Sequence, residues 1–164
     1  MHLLLIGMPN VGKSSIYNIL TKNEKNIIHS KEGTTRDWHS DTIEDYKGIM
    51  IYDTPGIIIE NNKLYLYRLN SLLNRIDIFL YVVDYKNPHI LYDKQVLSKL
   101  RKLNKKIILI INKDDNLENR NTFDELGISE KFYVSCSHNL GFTDLKFFLS
   151  KFQSPVIENK EIDF

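Results

Sequence analysis

The chain has 164 residues, enough for one domain with a substantial core. Charged residues make up 26% but the net charge is only +1, so bulk electrostatics gives no argument for a nucleic-acid or membrane partner. A single cysteine, Cys136, excludes an internal disulfide and makes a reducing, cytoplasmic setting the expectation, and no apolar run has the length of a signal peptide or a membrane span.

In chain order, HLLLIG at 2–7 reads as a buried strand. GKSSIYNILTK at 12–22 reads as a helix with Ile16, Ile19 and Leu20 on one face. Residues 23–38 are polar and aperiodic and read as a mobile loop. HSDTIED and GIMIYDT form a hairpin about Tyr46–Lys47–Gly48, and Leu64–Asn74 has helical spacing. IFLYVVD (78–84), KIILIIN (106–112) and KFYVSCS (131–137) are three further buried strands. Tyr92–Leu103 is a helix, and Thr143–Phe152 closes the domain as another, with Leu145, Phe148, Leu149 and Phe152 in step. Near-continuous apolar strands separated by helices predict an α/β fold: a parallel sheet with helices on both faces. The hairpin makes it six-stranded, with one antiparallel edge strand. The domain is placed at 1–152. Residues 153–164, with a proline and several charges, read as a linker or tail.

Five short motifs carry chemistry. GMPNVGKS (7–14) fits G-x-x-x-x-G-K-[ST] between a strand and a helix, the context such a phosphate loop requires. Backbone N–H groups of Asn10, Val11, Gly12 and the helix start through Ser15 converge on phosphate oxygens there, helped by the helix dipole. Gly7 and Gly12 allow close backbone approach, Lys13 reaches the β- and γ-phosphates, and Ser14 offers its hydroxyl to Mg²⁺. DTPG (53–56) follows about forty residues on. Asp53 is placed to hold a magnesium-bound water, and the Gly56 N–H to sense the γ-phosphate. Alone this motif is weak; in this order it is strong. The next residue, Ile57, stands where switches of the Ras type carry a water-orienting glutamine, and a hydrocarbon cannot take that role.

NKDD (112–115) fits N-K-x-D with Asn112, Lys113 and Asp115. An aspartate can accept from guanine N1–H and the exocyclic amine together, and adenine has no such pair of donors, so the motif selects GTP over ATP. In SCS (135–137), backbone N–H groups of Ser135, Cys136 and Ser137 are candidates to meet guanine O6; Cys136 itself is read as a structural thiol. GTTRD (33–37) offers Thr35, preferred over Thr34, to complete the magnesium shell. Arg36 is read as a solvated charge or a partner of Asp37 in preference to a built-in arginine finger. The five histidines show no metal-ligand spacing, and the aromatics form no base-stacking platform.

GMPNVGKS, GTTRD, DTPG, NKDD and SCS in this order resemble the translation-factor-related bacterial GTPases, the branch that includes Era, MnmE (TrmE) and Der (EngA). The resemblance covers residues 1 to about 152. FDELGISEKFYVSCSHNLGFTDLKFFL (123–149), and the stretch from DIFLYVVD to NKDD (77–115), are most similar to the first G domain of the ribosome-assembly GTPase Der. Met8 and Cys136 depart from residues usual there, and DTPG is closer to Era. The resemblance implies a P-loop G domain that hydrolyses GTP to GDP slowly. It implies a role in large ribosomal subunit assembly, with the ribosomal particle or rRNA as partner, and in Der a second G domain and a KH-like domain that this chain lacks. An Era- or MnmE-like G domain, or a GTP-sensing module with negligible hydrolysis, is the alternative. The resemblance also implies potassium stimulation, with Asn10 contributing to the ion's site. A monovalent cation there would offset charge developing on the phosphates, as an arginine finger does elsewhere.

Overall fold

The structure is a computed structural model and describes residues 1–22, 38–54, 57–60, 63–66, 70–118 and 120–153. The elements in chain order are β1 (His2–Gly7), α1 (Lys13–Thr21), β2 (His39–Thr42), β3 (Met50–Asp53), β4 (Ile57–Glu60), β5 (Lys63–Leu66), α2 (Asn70–Leu73), β6 (Ile78–Asp84), α3 (Ile90–Arg101), β7 (Lys106–Asn112), β8 (Lys131–Tyr133) and α4 (Phe142–Ser150), with a 3₁₀ helix over Asn121–Leu126. Six strands form one sheet in the order β2-β3-β1-β6-β7-β8, and β4 and β5 form a separate hairpin. Only β2 runs antiparallel in the large sheet, at its edge beside β3.

Every residue of β6 is buried, as are Leu3 to Gly7 of β1. Strands covered on both faces need apolar residues at every position, which is why IFLYVVD and HLLLIG show no alternation. The connection from β1 through α1 runs to β3 on one side, whereas that from β6 through α3 runs to β7 on the other. Right-handed crossovers in opposite directions put α1 and α3 on opposite faces. The crevice at the carboxyl ends of β1 and β6 is then the switch point where open α/β sheets hold ligands. Ile16, Tyr17 and Leu20 of α1 are fully buried; Ile19 is half-buried. The β2–β3 turn closes as the sequence predicts, with Ile43 N–H on Ile49 O at 3.0 Å and positive φ at Asp45 and Gly48.

Two expectations change. The helix over Leu64–Asn74 is instead strand β5 followed by the single turn α2. Ile57-Ile58-Ile59 is β-branched throughout and pairs antiparallel with Leu64–Leu66, so that Glu60 faces Lys63. The last buried strand ends at Tyr133 and is half-buried, because it is the sheet's other edge. Beyond it Ser135 pairs only with Leu140, in an isolated bridge. The expected mobile loop, apart from Trp38, and the tail from Ser154 lie outside the described residues.

Candidate functional site

The loop after β1 closes on itself. Lys13 folds back so that its ammonium donates to Gly7 O at 3.1 Å and Met8 O at 2.8 Å. Burial lowers its pKa to about 8, against the pull of Asp53. Asn10 and Gly12 adopt positive φ, 65° and 99°, which the reversal into α1 requires. A Cβ on Gly12 would lie 2.2 Å from the Asn112 amide nitrogen, and one on Gly7 2.3 Å from Val82 O. These glycines therefore serve close packing of the loop against β6 and β7, besides any approach to a ligand.

At the end of β3, Asp53 Oδ2 accepts the Ser14 hydroxyl at 2.8 Å. Burial raises the Asp53 pKa, and the Ser14 hydrogen bond and the Lys13 charge oppose that rise. Asp53 Oδ1 and the Thr54 hydroxyl are buried with no hydrogen-bond partner among the described residues. A buried acceptor left open beside an ammonium and a serine hydroxyl fits a hydrated divalent cation. Pro9, Asn10, Lys13, Ser14, Ser15 and Thr54 line a cavity of about 420 Å³ here. Thr35 and Gly56 lie outside the described residues.

β7 delivers the other half. Asn112 Nδ2 donates to Val11 O at 2.9 Å, and the Lys113 ammonium donates to Asn10 O at 2.9 Å. Asn112 Oδ1 accepts the Cys136 N–H at 3.2 Å, so that N–H is engaged within the protein here. Asp115 Oδ1 accepts the Ser135 and Ser137 hydroxyls at 2.7 and 3.3 Å, and Oδ2 accepts the Lys86 ammonium. These bonds, from Lys86 first, hold the Asp115 carboxyl down to about 2. Burial pushes the Cys136 thiol up to about 11, far from a reactive thiolate. A second cavity of about 460 Å³ is lined by Asn18, Asn112, Lys113, Asp115 and Ser137 among others, and shares Gly12 and Ser15 with the first.

The structure thus brings together the described residues of four motifs that lie far apart in the chain. It adds two that motif reading misses, Asp84 and Lys86, and places Thr54 of DTPG in the phosphate cavity. Asp84, 8% exposed, ends β6 and accepts the Lys113 ammonium on Oδ2 at 2.7 Å. Its only sequence signal is a carboxylate closing a wholly apolar strand.

A phosphate loop between β1 and α1, at the switch point of a mostly parallel sheet, defines a P-loop nucleotide-binding domain. Residues 2–113 match the 50S ribosome-binding GTPase family. The chain is 36% identical over 156 residues to GTPase Der of Campylobacter lari, covering 92% of this chain and 34% of that protein. It is 42% identical over 141 residues to GTPase Der of Nitratiruptor, covering 82% and 30%. It therefore spans about a third of the length of the curated relatives it matches. Era of Aquifex aeolicus, solved with GDP.AlF4-, superposes with a TM-score of 0.72 at 24% identity, over 93% of this chain and 56% of that one. A probable GTP-binding protein engB gives 0.70 at 19% identity, over 92% and 97%. Identities this low show the fold alone. The chain belongs to the 50S ribosome-binding GTPase family.

Proposed function

We propose that this chain is a GTP-binding switch domain that hydrolyses GTP to GDP and phosphate, and that the full-length protein acts in assembly of the large ribosomal subunit. The observation that carries the reading is the stitching of β7 to the phosphate loop, Asn112 to Val11 O and Lys113 to Asn10 O. Two cavities adjoin at Gly12 and Ser15, one lined by Asp115 and the other by Lys13 and Ser14, with Asp53 held against Ser14. The ribosomal role rests on the family and on the Der relatives, of whose length this chain spans about a third.

In this reading the base docks against Asp115, which accepts N1–H and the exocyclic amine. Gly7, Val11, Gly12 and Ser15 supply loop and helix backbone for the phosphates, and Lys13 turns its ammonium from the loop carbonyls to the β- and γ-oxygens. Ser14, Thr35 and, through a water, Asp53 would hold Mg²⁺, and the Gly56 N–H would meet the γ-phosphate. The ion, when bound, offsets charge on the β- and γ-oxygens. Asn10 lines the phosphate cavity and carries an amide oxygen of the right chemistry for K⁺, which would supply further charge compensation there. Ile57 supplies no water-orienting group, so backbone of the two switch segments positions the nucleophile and the intrinsic rate is low.

Single-turnover hydrolysis with Mg²⁺, in KCl against NaCl, tests this. Phosphate release is expected to be about tenfold faster in KCl, about 1.4 kcal/mol of barrier, and Asn10→Ala is expected to abolish that difference. Equal rates in both salts, unchanged by Asn10→Ala, would remove potassium from the account. Tight GTP binding with no phosphate released over hours would leave a GTP-sensing module.

A further inference from the structure

The base end of the cavity contains a contact that guanine recognition does not use. Asp115 has both oxygens occupied: Oδ1 by the Ser135 and Ser137 hydroxyls and Oδ2 by the Lys86 ammonium, with His138 Nε2 a further 3.7 Å from Oδ2. A base offering two parallel N–H donors needs both oxygens. A hydroxyl can rotate, and it accepts as well as donates, so the serines can remain beside a bound base. An ammonium only donates, and although each carboxylate oxygen offers about two acceptor directions, Lys86 reaches Oδ2 from the cavity that a base would enter. Lys86 and guanine therefore compete for Oδ2.

The fold holds Lys86 in this position. Asp84 Oδ1 accepts the backbone N–H of Lys86 at 2.9 Å and of Asn87 at 3.2 Å, shaping the turn after β6. Lys86 lines the cavity with Asn112 and Asp115. Its side chain is 61% exposed and that of Asp115 is 19% exposed. An ion pair so open to water is weak, which suits a displaceable competitor.

We propose that Lys86 is an affinity-setting residue of the base subsite, competing with guanine for Asp115 and so slowing nucleotide association. The proposal rests on the guanine reading of Asp115. It opposes the simple expectation from charge: removing a cation beside a polyanion site should weaken binding. Competition predicts the reverse.

The test compares wild type, Lys86→Met and Lys94→Met by stopped-flow association of fluorescent GDP and by calorimetry with GDP and IDP. Lys94 pairs with Glu125, outside the cavity, and controls for net charge. Lys86→Met is expected to bind GDP about two- to five-fold more tightly, the range of one exposed ion pair, through faster association. IDP lacks the exocyclic amine and can leave one oxygen to Lys86, so it is expected to gain less. Lys94→Met is expected to match wild type. Unchanged or weaker GDP binding by Lys86→Met, or an equal gain for GDP and IDP, overturns the proposal while leaving the guanine reading in place. Wild type binding GDP no better than ADP overturns the guanine reading, and the Lys86 proposal with it.

Discussion

Lys13 is a cation held almost out of water, 7% exposed, with two backbone carbonyls as its partners. Its pKa of about 8 means that near pH 8 about half of the ligand-free molecules carry it neutral. Phosphate oxygens favour the charged form, so nucleotide binding draws in a proton. Calorimetry with GDP at pH 8, in buffers of different ionisation enthalpy, is expected to show uptake of about half a proton, falling toward zero by about pH 6.5. Affinity should fall as pH climbs from 7 to 9, because the free protein has by then shed the proton the complex needs. Binding without proton uptake at pH 8 would show that Lys13 is already charged in the free protein. The residue types of this site were legible because each motif has a fixed spacing. Asp84 and Lys86 were not, because a carboxylate and an ammonium two residues apart after a strand look like any surface turn. Only the register of β6 against β7, with Asp84 beside Asn112, shows what they face.

β6 and α3 are joined by a buried polar pair. The Tyr81 hydroxyl donates to Asp93 Oδ1 at 2.6 Å, and Asp93 is 2% exposed. Burial raises the Asp93 pKa to about 6, against the Tyr81 hydrogen bond and the influence of His89. The folded state therefore holds this proton more tightly than the unfolded chain. Its contribution to stability is complete below about pH 4 and is lost as pH rises through about 6. Tyr81→Phe removes the carboxylate's donor and is expected to cost about 1–3 kcal/mol at pH 7.5. The loss should be smaller at pH 4.5, where Asp93 is largely protonated. Urea unfolding at the two pH values measures this, and an equal loss at both would show that the phenol acts through packing alone. At this scale the long central strands were legible because burial on both faces leaves uninterrupted apolar runs. The β4–β5 hairpin was not: Leu66, Leu69, Leu72 and Leu73 recur at helical spacing and carry the pattern back over β5, whereas the pairing with β4 that decides is not visible as a period. The 3₁₀ helix over Asn121–Leu126 was not foreseen, since six polar-rich residues carry no period.

For the domain as a whole, a ligand that spans both cavities bridges β1, α1, β3 and β7, and should stabilise the fold by mass action. GDP at about 100 times its Kd is expected to add about 2.7 kcal/mol. For a domain of this size that is a rise in Tm of about 5–11 °C. ADP at the same concentration should give a much smaller shift, because it lacks the two donors that Asp115 accepts. A thermal melt with each nucleotide checks this; equal shifts would show that the base end does not discriminate.

The two bonds from β7 into the phosphate loop also fix a length. Asn112 and Lys113 grip Val11 O and Asn10 O, so the separation between the Asp115 carboxylate, proposed to meet a base, and the start of α1, proposed to meet phosphates, is set by the protein. The domain acts as a ruler. A molecule with the right base but the wrong sugar-phosphate reach cannot satisfy both ends by deforming the loop. A strain applied at either end is felt at the other through these two hydrogen bonds, besides the sheet that joins β1, β6 and β7.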